Sequence, residues 1–371
     1  MKIVMFGHKR IPSREGGVEI VVEELSAGMA DRGHRVICCN RGGHHVSGSE
    51  FDRNTAPYWR NIRLKTVPTL DKKGLAAVTS SFFAAIYAAF SRADVVHIHA
   101  EGPAFMCWLP RLMGKRVIVT VHGLDWQREK WKGGFGAKYI RLGEKMAVRF
   151  AHEIIVLSRN VQHYFFDTYG RETVWIPNGV CRPEIAQPRQ IVEEYELNKD
   201  GYILFLGRLV PEKGIHYLIE AFRGVKTDKK LVIAGGASDS DDYVQMLKNM
   251  AEGDSRIRFT GFVQGTLLEE LYSNAYVYVL PSDVEGMPLS LLEAMSYGNC
   301  CLVSDIPECA EVVEDRAVTF PRGNVSRLRD VLQGLCDDPA WVEIYKAAAC
   351  SYICEKYSWD DVVTKTLELY Q

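Results

Sequence analysis

The alternation of short apolar runs with amphipathic stretches is what most constrains this chain of 371 residues. "KIVMF" (2–6), "RVICCN" (35–40), "VVHIH" (95–99), "VIVTVHG" (117–123) and "EIIVLS" (153–158) make one series of buried-strand patterns. "YILFLG" (202–207), "KLVIAGG" (230–236), "IRFTGF" (257–262), "YVYVLPS" (276–282) and "CCLVS" (300–304) make a second. Helical patterns lie between them, as at Val18–Arg32 and Ile215–Val225. Near-continuous β-branched runs alternating with helices predict parallel sheets covered on both faces. Two such series predict an α/β chain of two doubly wound, Rossmann-like domains. "IPNGVCRPEIAQPRQ" (176–190) holds three prolines and a glycine and separates the series, which predicts domains of 1–180 and 181–355. "SWDDVVTKTLELY" (358–370) reads as an amphipathic helix, capped by Ser358 with Asp360 and Asp361 in its first turn. The C-terminal helix, about 356–371, is expected to pack back on the first domain.

Ligands of open α/β sheets bind beyond the carboxyl ends of strands. Glycines gather there: Gly7, Gly16, Gly17, Gly123, Gly207, Gly235, Gly236 and Gly286. Paired domains with glycine-rich strand ends facing each other predict a cleft between them.

The net charge of −2 hides an asymmetry. Residues 1–180 carry 26 Lys+Arg against 16 Asp+Glu, and the rest carry 19 against 31. A basic half suits an anionic surface or ligand; no nucleic-acid module is recognisable, so no nucleic-acid partner is expected. The cysteines contain no C-x-x-C, which favours reduced thiols over zinc or disulfides. The opening "MKIVMFG" reads as a strand rather than a signal peptide, and the expectation is a cytoplasmic protein. "GLAAVTSSFFAAIYAAF" (74–90) is half small or hydroxylated and flanked by Lys72, Lys73 and Arg92, so it reads as a buried or interfacial helix rather than a membrane span.

Chemistry concentrates in two stretches. In "PSDVEGMPLSLLEAMSYG" (281–298) a loop carries Glu285 and Gly286, and a helix follows with Pro288 near its first position. The early amides of that helix, around Leu289 and Ser290, make an anion site. Glu293, about five residues in, suits a pair of hydroxyls such as those of a ribose, and Glu285 a second polyol. The alternative is a helix cap and a surface ion pair. "FLGRLVPEKGIHYLIEAF" (205–222) puts Arg208 after a strand and Lys213 in the following loop. Two cations so placed suit a departing diphosphate, which gains charge as its bond to sugar breaks; the alternative is two solvated charges in a turn.

"GRLVPEKG" followed by "EGMPLSLLEAMSYG" resembles the retaining nucleotide-sugar glycosyltransferases of family 4, with the GT-B fold. Further pieces fall in the family's order: "REGGVEIVVEEL" (14–25), "VHIH" (96–99), "TVHGLDW" (120–126), "IPNGV" (176–180) and "FTGFV" (259–263). The opening "GHKRIPSREGGVE" further resembles a subgroup that builds bacterial capsular and other surface polysaccharides, rhamnosyltransferases included.

The resemblance implies that Gly16 and Gly17 cover the donor diphosphate and that Arg208 and Lys213 bind it. It implies that Glu293 holds the ribose, that Glu285 approaches the donor sugar and that amides near Met287–Ser290 meet phosphate, Pro288 having no N–H of its own to give. The backbone at Val263 would meet the base, and His122 the transferred sugar. Asp125 and Trp126 are assigned to the acceptor side. The donor classes implied are UDP- and dTDP-sugars, the acceptor a saccharide or lipid-linked saccharide. With no convincing carboxylate nucleophile, front-face substitution is expected, with the leaving phosphate taking the acceptor proton. No metal or other cofactor is expected: "SDSDDY" (238–243) superficially contains a D-x-D but reads as a solvated helix start. His97 and His99 alternate in one strand and are expected on opposite faces, which argues against a two-histidine metal site.

"WQREKWKGGFGAKYIRLGEKMAVRF" (126–150) has seven Lys+Arg against two Glu, with aromatics interleaved. Arg128, Lys130, Trp131, Lys132 and Lys138 are therefore candidates for contact with anionic lipid at the inner face of a membrane; the alternative is a basic helix packed on its domain. Two further readings compete: a nucleotide-sugar epimerase of similar fold, and a non-catalytic nucleotide-sugar-binding protein. An oxidoreductase is disfavoured because "MFGHKRIPSREGG" lacks the G-x-G-x-x-G spacing.

Overall fold

The computed structural model describes residues 1–44, 56–72, 74–131, 134–238 and 240–371. They divide into two compact units, Met1–Gly179 with Trp359–Gln371, and Val180–Ser358.

The first unit is built on an eight-stranded sheet: β1 (Lys2–Phe6), β2 (Arg35–Arg41), β3 (Tyr58–Trp59), β4 (Ile62–Val67), β5 (Val95–His99), β6 (Arg116–Val121), β7 (Glu153–Val156) and β8 (Val174–Trp175). Their order is β3-β4-β2-β1-β5-β6-β7-β8. All pairs are parallel except β3 with β4, a departure from the all-parallel expectation confined to one edge. The continuous apolar runs follow from burial on both faces. Val4, Phe6, Val96, Ile98, Val117, Val119 and Val121 pack in one core, and Ile3, Met5, Val36, Cys38, Val95, Ile118 and Ile155 in the other. Alternate residues of each strand thus supply opposite cores.

The helix Trp359–Glu368 belongs to this second core through Val362 and Val363, with Tyr370 just beyond it. Its seat is the helix Gly17–Asp31, where a Cβ on Gly28 would meet Val363 Cγ2 at 2.7 Å. The helix Leu75–Phe90 buries a stripe of Ser80, Ser81, Ala84, Ala85, Ala88 and Ala89 and exposes Phe82, Phe83 and Phe90. Among the described residues no helix is long and apolar enough to cross a membrane.

The second unit has a six-stranded parallel sheet: β9 (Tyr202–Leu206), β10 (Lys230–Ala234), β11 (Ile257–Gly261), β12 (Val277–Leu280), β13 (Cys300–Ser304) and β14 (Val318–Phe320). The order is β11-β10-β9-β12-β13-β14. Each sheet is doubly wound and reverses direction once, at β1/β5 in the first unit and at β9/β12 in the second. The loops that leave such a pair part to opposite faces and open a crevice at the carboxyl edge.

Candidate active site

In the second unit the crevice lies between the loops that follow β9 and β12. The β9 loop passes Gly207 and Arg208 to a 3-10 turn, Pro211–Lys213. Gly214 then takes the left-handed conformation (φ +66°), and a Cβ there would stand 2.0 Å from the Pro281 carbonyl oxygen. Only glycine allows that approach. The Asp283 amide donates to the Glu212 carbonyl at 2.8 Å, so the two loops are tied backbone to backbone. The tie delivers Lys213 to Glu285: Lys213 Nζ donates to Glu285 Oε1 at 2.6 Å, and Ser282 Oγ donates to the same oxygen at 2.6 Å. The side chains keep 12% and 8% of their surface exposed. A cation and an anion largely withdrawn from water hold each other here, where the sequence had assigned them separate partners.

The loop continues through buried Gly286, Met287 and Pro288 into the helix Leu289–Ser296. Pro288 is the residue just before the first turn, and no side chain caps this start. Tyr278 Oη, on β12, donates to Ser290 Oγ at 2.8 Å and pins the first turn. Tyr272 Oη donates to Glu293 Oε2 at 3.3 Å. Glu293 is half-buried, in the second turn of the same helix. Val263 lies two residues beyond the edge strand β11 and is buried. Arg208, Lys213, Glu285, the helix start and Glu293 therefore share the carboxyl edge of β9 and β12. Ser282 and Tyr278 were missed because "YVYVLPS" reads only as core strand and turn, and Tyr272 because it lies in the preceding helix, Thr266–Ser273, outside any motif.

In the first unit the β1 loop begins at Gly7 (φ +113°), where a Cβ would stand 2.0 Å from the His99 carbonyl oxygen. Gly16 precedes the helix Gly17–Asp31 with extended backbone, so no dihedral demands glycine. A Cβ there would meet Glu19 Oε2 at 2.6 Å, so any side chain would displace that carboxylate. Glu19, buried in the first turn, accepts from the Lys9 amide at 2.8 Å. Burial pushes its carboxyl up, but Lys9, His8 and Arg41 hold it below the ordinary value. The helix start that the sequence assigned to a diphosphate carries this carboxylate.

His122 follows β6 and is buried, and its Nε2 lies 3.1 Å from Nδ1 of His99. The His97 and His99 rings stack with centroids 4.3 Å apart and planes at 25°. The expectation that they face opposite ways is wrong. Residues two apart in a strand share a face, and both point with Val95 into the same layer. His97 is tied at both nitrogens, Nδ1 to Tyr370 Oη at 2.6 Å and Nε2 to Thr120 Oγ1 at 2.7 Å. Burial pulls His122 down to about 4 and His97 to about 3, and carries His99 well below its usual range. All three are neutral near pH 7. No group of three His, Cys, Asp or Glu among the described residues is arranged to hold a metal ion.

Asp125 opens a 3-10 turn, Asp125–Gln127. Its amide donates to Glu101 Oε2 at 2.8 Å, and its carboxylate pairs with Arg128 at 3.0 Å. Trp126 lies under the Arg141 guanidinium at 4.1 Å. Trp131 packs against Gly136, and Lys138 is exposed on the helix Phe135–Phe150. Lys132 and the Lys130 side chain lie outside the described residues, as does Asp239 of "SDSDDY".

Two family models match: Glycosyltransferase Family 4 over residues 15–181, and Glycosyl transferases group 1 over residues 187–363. The chain is 25% identical to an uncharacterized glycosyltransferase of Methanocaldococcus jannaschii, over 100% of this chain and 98% of the relative. It is 30% identical to O-antigen chain mannosyltransferase B of Escherichia coli, over 50% of each. Its structure is similar to that of Anabaena HepE in complex with UDP and glucose, with a TM-score of 0.81 and 16% identity, covering 99% of this chain and 98% of that one.

Proposed function

We propose that this chain, which carries a Glycosyltransferase Family 4 domain followed by a glycosyl transferases group 1 domain, is a retaining sugar transferase using a nucleoside-diphosphate sugar. The donor is a UDP- or dTDP-sugar, and the acceptor a saccharide or lipid-linked saccharide of bacterial surface polysaccharide synthesis, with rhamnosyl transfer among the candidates. The UDP and glucose in the similar Anabaena structure and the O-antigen mannosyltransferase among the relatives support the donor class and the acceptor class.

The observation that carries the reading is the Lys213–Glu285 contact beside an uncapped helix start. A diphosphate entering there meets Arg208, Lys213 and the amides at Leu289 and Ser290, all of opposite polarity to it. Glu285 released from Lys213 is then an acceptor for a hydroxyl of the transferred sugar, and Glu293 for the ribose. His122 is assigned to the sugar as well. As the bond from the anomeric carbon to the phosphate oxygen breaks, charge collects on that oxygen, where the two cations and the helix start oppose it. The same oxygen takes the acceptor proton, so the new bond forms on the face the leaving group vacates and configuration is kept. No step calls for a metal ion.

The deciding experiment is a thermal-shift screen with UDP, dTDP, GDP and ADP, followed by transfer assays with sugars of the nucleotide that binds, with and without EDTA. A stabilising nucleoside diphosphate and chelator-resistant transfer with retained configuration are expected. Donor binding without turnover on any saccharide acceptor would instead favour a non-catalytic binder.

A further inference from the structure

The histidine column in the first unit goes beyond the binding of a sugar by His122. His122 and His99 meet through one nitrogen each, Nε2 and Nδ1, at 3.1 Å. Two neutral rings so placed share one hydrogen, and either ring can carry it. The other nitrogen of His99, Nε2, is buried with no hydrogen-bond partner. A buried bare acceptor is tolerated better than a buried N–H without an acceptor. His99 therefore carries its hydrogen on Nδ1 and donates it to His122 Nε2. His122, neutral and occupied at Nε2, is left with its hydrogen on Nδ1. The His99 ring cannot turn to reverse this: His97 stacks on it, and His97 is held at both ends by Tyr370 and Thr120. Gly7 closes over the His99 backbone.

On the transferase reading given above, we infer that His99 is a positioning residue, which fixes His122 in the tautomer that offers Nδ1–H as a donor to a hydroxyl oxygen of the transferred sugar. The Tyr370–His97 contact extends this support to the C-terminal segment. The charged groups that act on His122 are Asp125 and Glu19, which favour the imidazolium, and Arg128, which opposes it. The titratable groups that face His99 are His97, His122 and His8, each of which, if protonated, would oppose its protonation.

Two arms test the proposal. The first uses wild-type protein labelled with 15N-histidine, the His122 signal being identified by its absence from His122→Asn. Two-bond proton–nitrogen correlation spectra are expected to show His122 neutral at pH 7.5, with hydrogen on Nδ1 and Nε2 bare. Hydrogen on Nε2 overturns the proposal, whatever the enzyme's reaction proves to be. The second arm replaces the donor. His99→Phe keeps the ring and removes the hydrogen bond, and kcat is expected to fall at least about tenfold, the scale of one hydrogen bond, with KM for the donor within about twofold. His99→Asp demands a hydrogen on His122 Nε2. It is expected to leave the enzyme slow at pH 7.5 and to restore rate as pH falls and His122 becomes doubly protonated, an acid-side gain that the wild type lacks. Unchanged kcat in His99→Phe, or a His99→Asp pH profile parallel to wild type, overturns the positioning role. Wild-type protein inactive on every nucleotide sugar would sink the transferase reading instead and leave the spectroscopic arm to decide the tautomer.

Discussion

Lys213 and Glu285, 72 residues apart in sequence, meet at 2.6 Å because Gly214 lets the loop after β9 close onto the Pro281 carbonyl at the end of β12. Each neutralises a charge that would otherwise be stranded in a largely buried place. Removing one partner of such a pair typically costs ~3–5 kcal/mol, while replacing both by neutral groups of similar size is often close to neutral. Lys213→Met alone is expected to lower unfolding free energy on that scale, less the share that Ser282 still satisfies at Glu285 Oε1. The double variant Lys213→Met/Glu285→Gln is expected to regain most of it. Transfer should behave oppositely: kcat falls about 10²–10³-fold in the single variant, as for loss of one charge-stabilising donor, and the double variant recovers none of it. Urea unfolding and initial rates on wild type, the two single variants Lys213→Met and Glu285→Gln, and the double variant check this cycle. Near-normal kcat in Lys213→Met would remove the diphosphate role.

The acid limit of stability follows from the buried histidines. His8 and His122 are pulled down to about 4 and His97 to about 3, and His99 lies well below its ordinary value, all chiefly by burial. A histidine whose folded value lies below its unfolded value contributes stability that is fully present above about 6.5 and lost as pH falls toward the folded value. Each adds a slope of about 1.4 kcal/mol per pH unit in that window. The free energy of unfolding is therefore expected to drop steeply between pH 6.5 and 4. His97→Gln is expected to remove about one proton's worth of that slope, read from urea unfolding at a series of pH values. An unchanged slope would mean that His97 is already charged in the folded state.

Glu101 has the opposite sign. Burial raises its carboxyl well above 4.5, and Asp125 and Glu144 raise it further. Glu101 Oε1 and Glu144 Oε1 are both buried without a hydrogen-bond partner among the described residues, so a proton on Glu101 can serve both carboxyls; Glu144 Oε2 already accepts from Tyr164 at 3.0 Å and Tyr169 at 2.6 Å. The proton between the two carboxyls is what makes the arrangement tolerable. A group raised in this way contributes stability that is present below about 4.5 and lost as pH rises through its folded value. Glu101→Gln supplies the same donor toward Glu144 without a titrating proton, and its carbonyl can still accept from the Asp125 amide. The variant is expected to gain Tm relative to wild type as pH rises from 5 to 8, as followed by differential scanning calorimetry. A gap that stays constant or shrinks over that range would contradict the shared proton.

The fold was legible because a sheet buried on both faces writes itself as uninterrupted apolar strands. What escaped were strands that lack that signature. β4 carries Arg63 and Lys65 on an open face, and β8 and β14 are two and three residues long. At the candidate site, residue types and their order were readable: Arg208 and Lys213 after one strand, Glu285 and Glu293 flanking a helix start. Their contacts were not, since the Lys213–Glu285 pair depends on a backbone approach at Gly214 that only the folded sheet reveals. Glu19 escaped for a similar reason: its carboxylate turns back to the Lys9 amide, a bond across the β1 loop. That His97 and His99 share a face needed no structure, only the period of two applied correctly.

The helix Phe135–Phe150 sorts its residues in a way that bears on membrane contact. Ile140, Gly143, Glu144 and Ala147 are buried, while Phe135, Lys138, Arg141, Leu142, Lys145 and Arg149 are exposed. A face that mixes cations with apolar side chains suits an anionic lipid surface, where each basic residue contributes about 1 kcal/mol and the apolar groups add a salt-insensitive part. Arg141 already stacks on Trp126, so Lys138 and Lys145 are the cleaner probes. The protein is expected to float with vesicles containing phosphatidylglycerol and to remain behind with phosphatidylcholine alone. Lys138→Gln/Lys145→Gln should weaken that partitioning about 30-fold at low salt, which is about 2 kcal/mol. The difference should shrink as salt shortens the reach of the exposed charges. Equal flotation with neutral and anionic vesicles, or a double variant that partitions like wild type, would assign this face to packing and solubility alone.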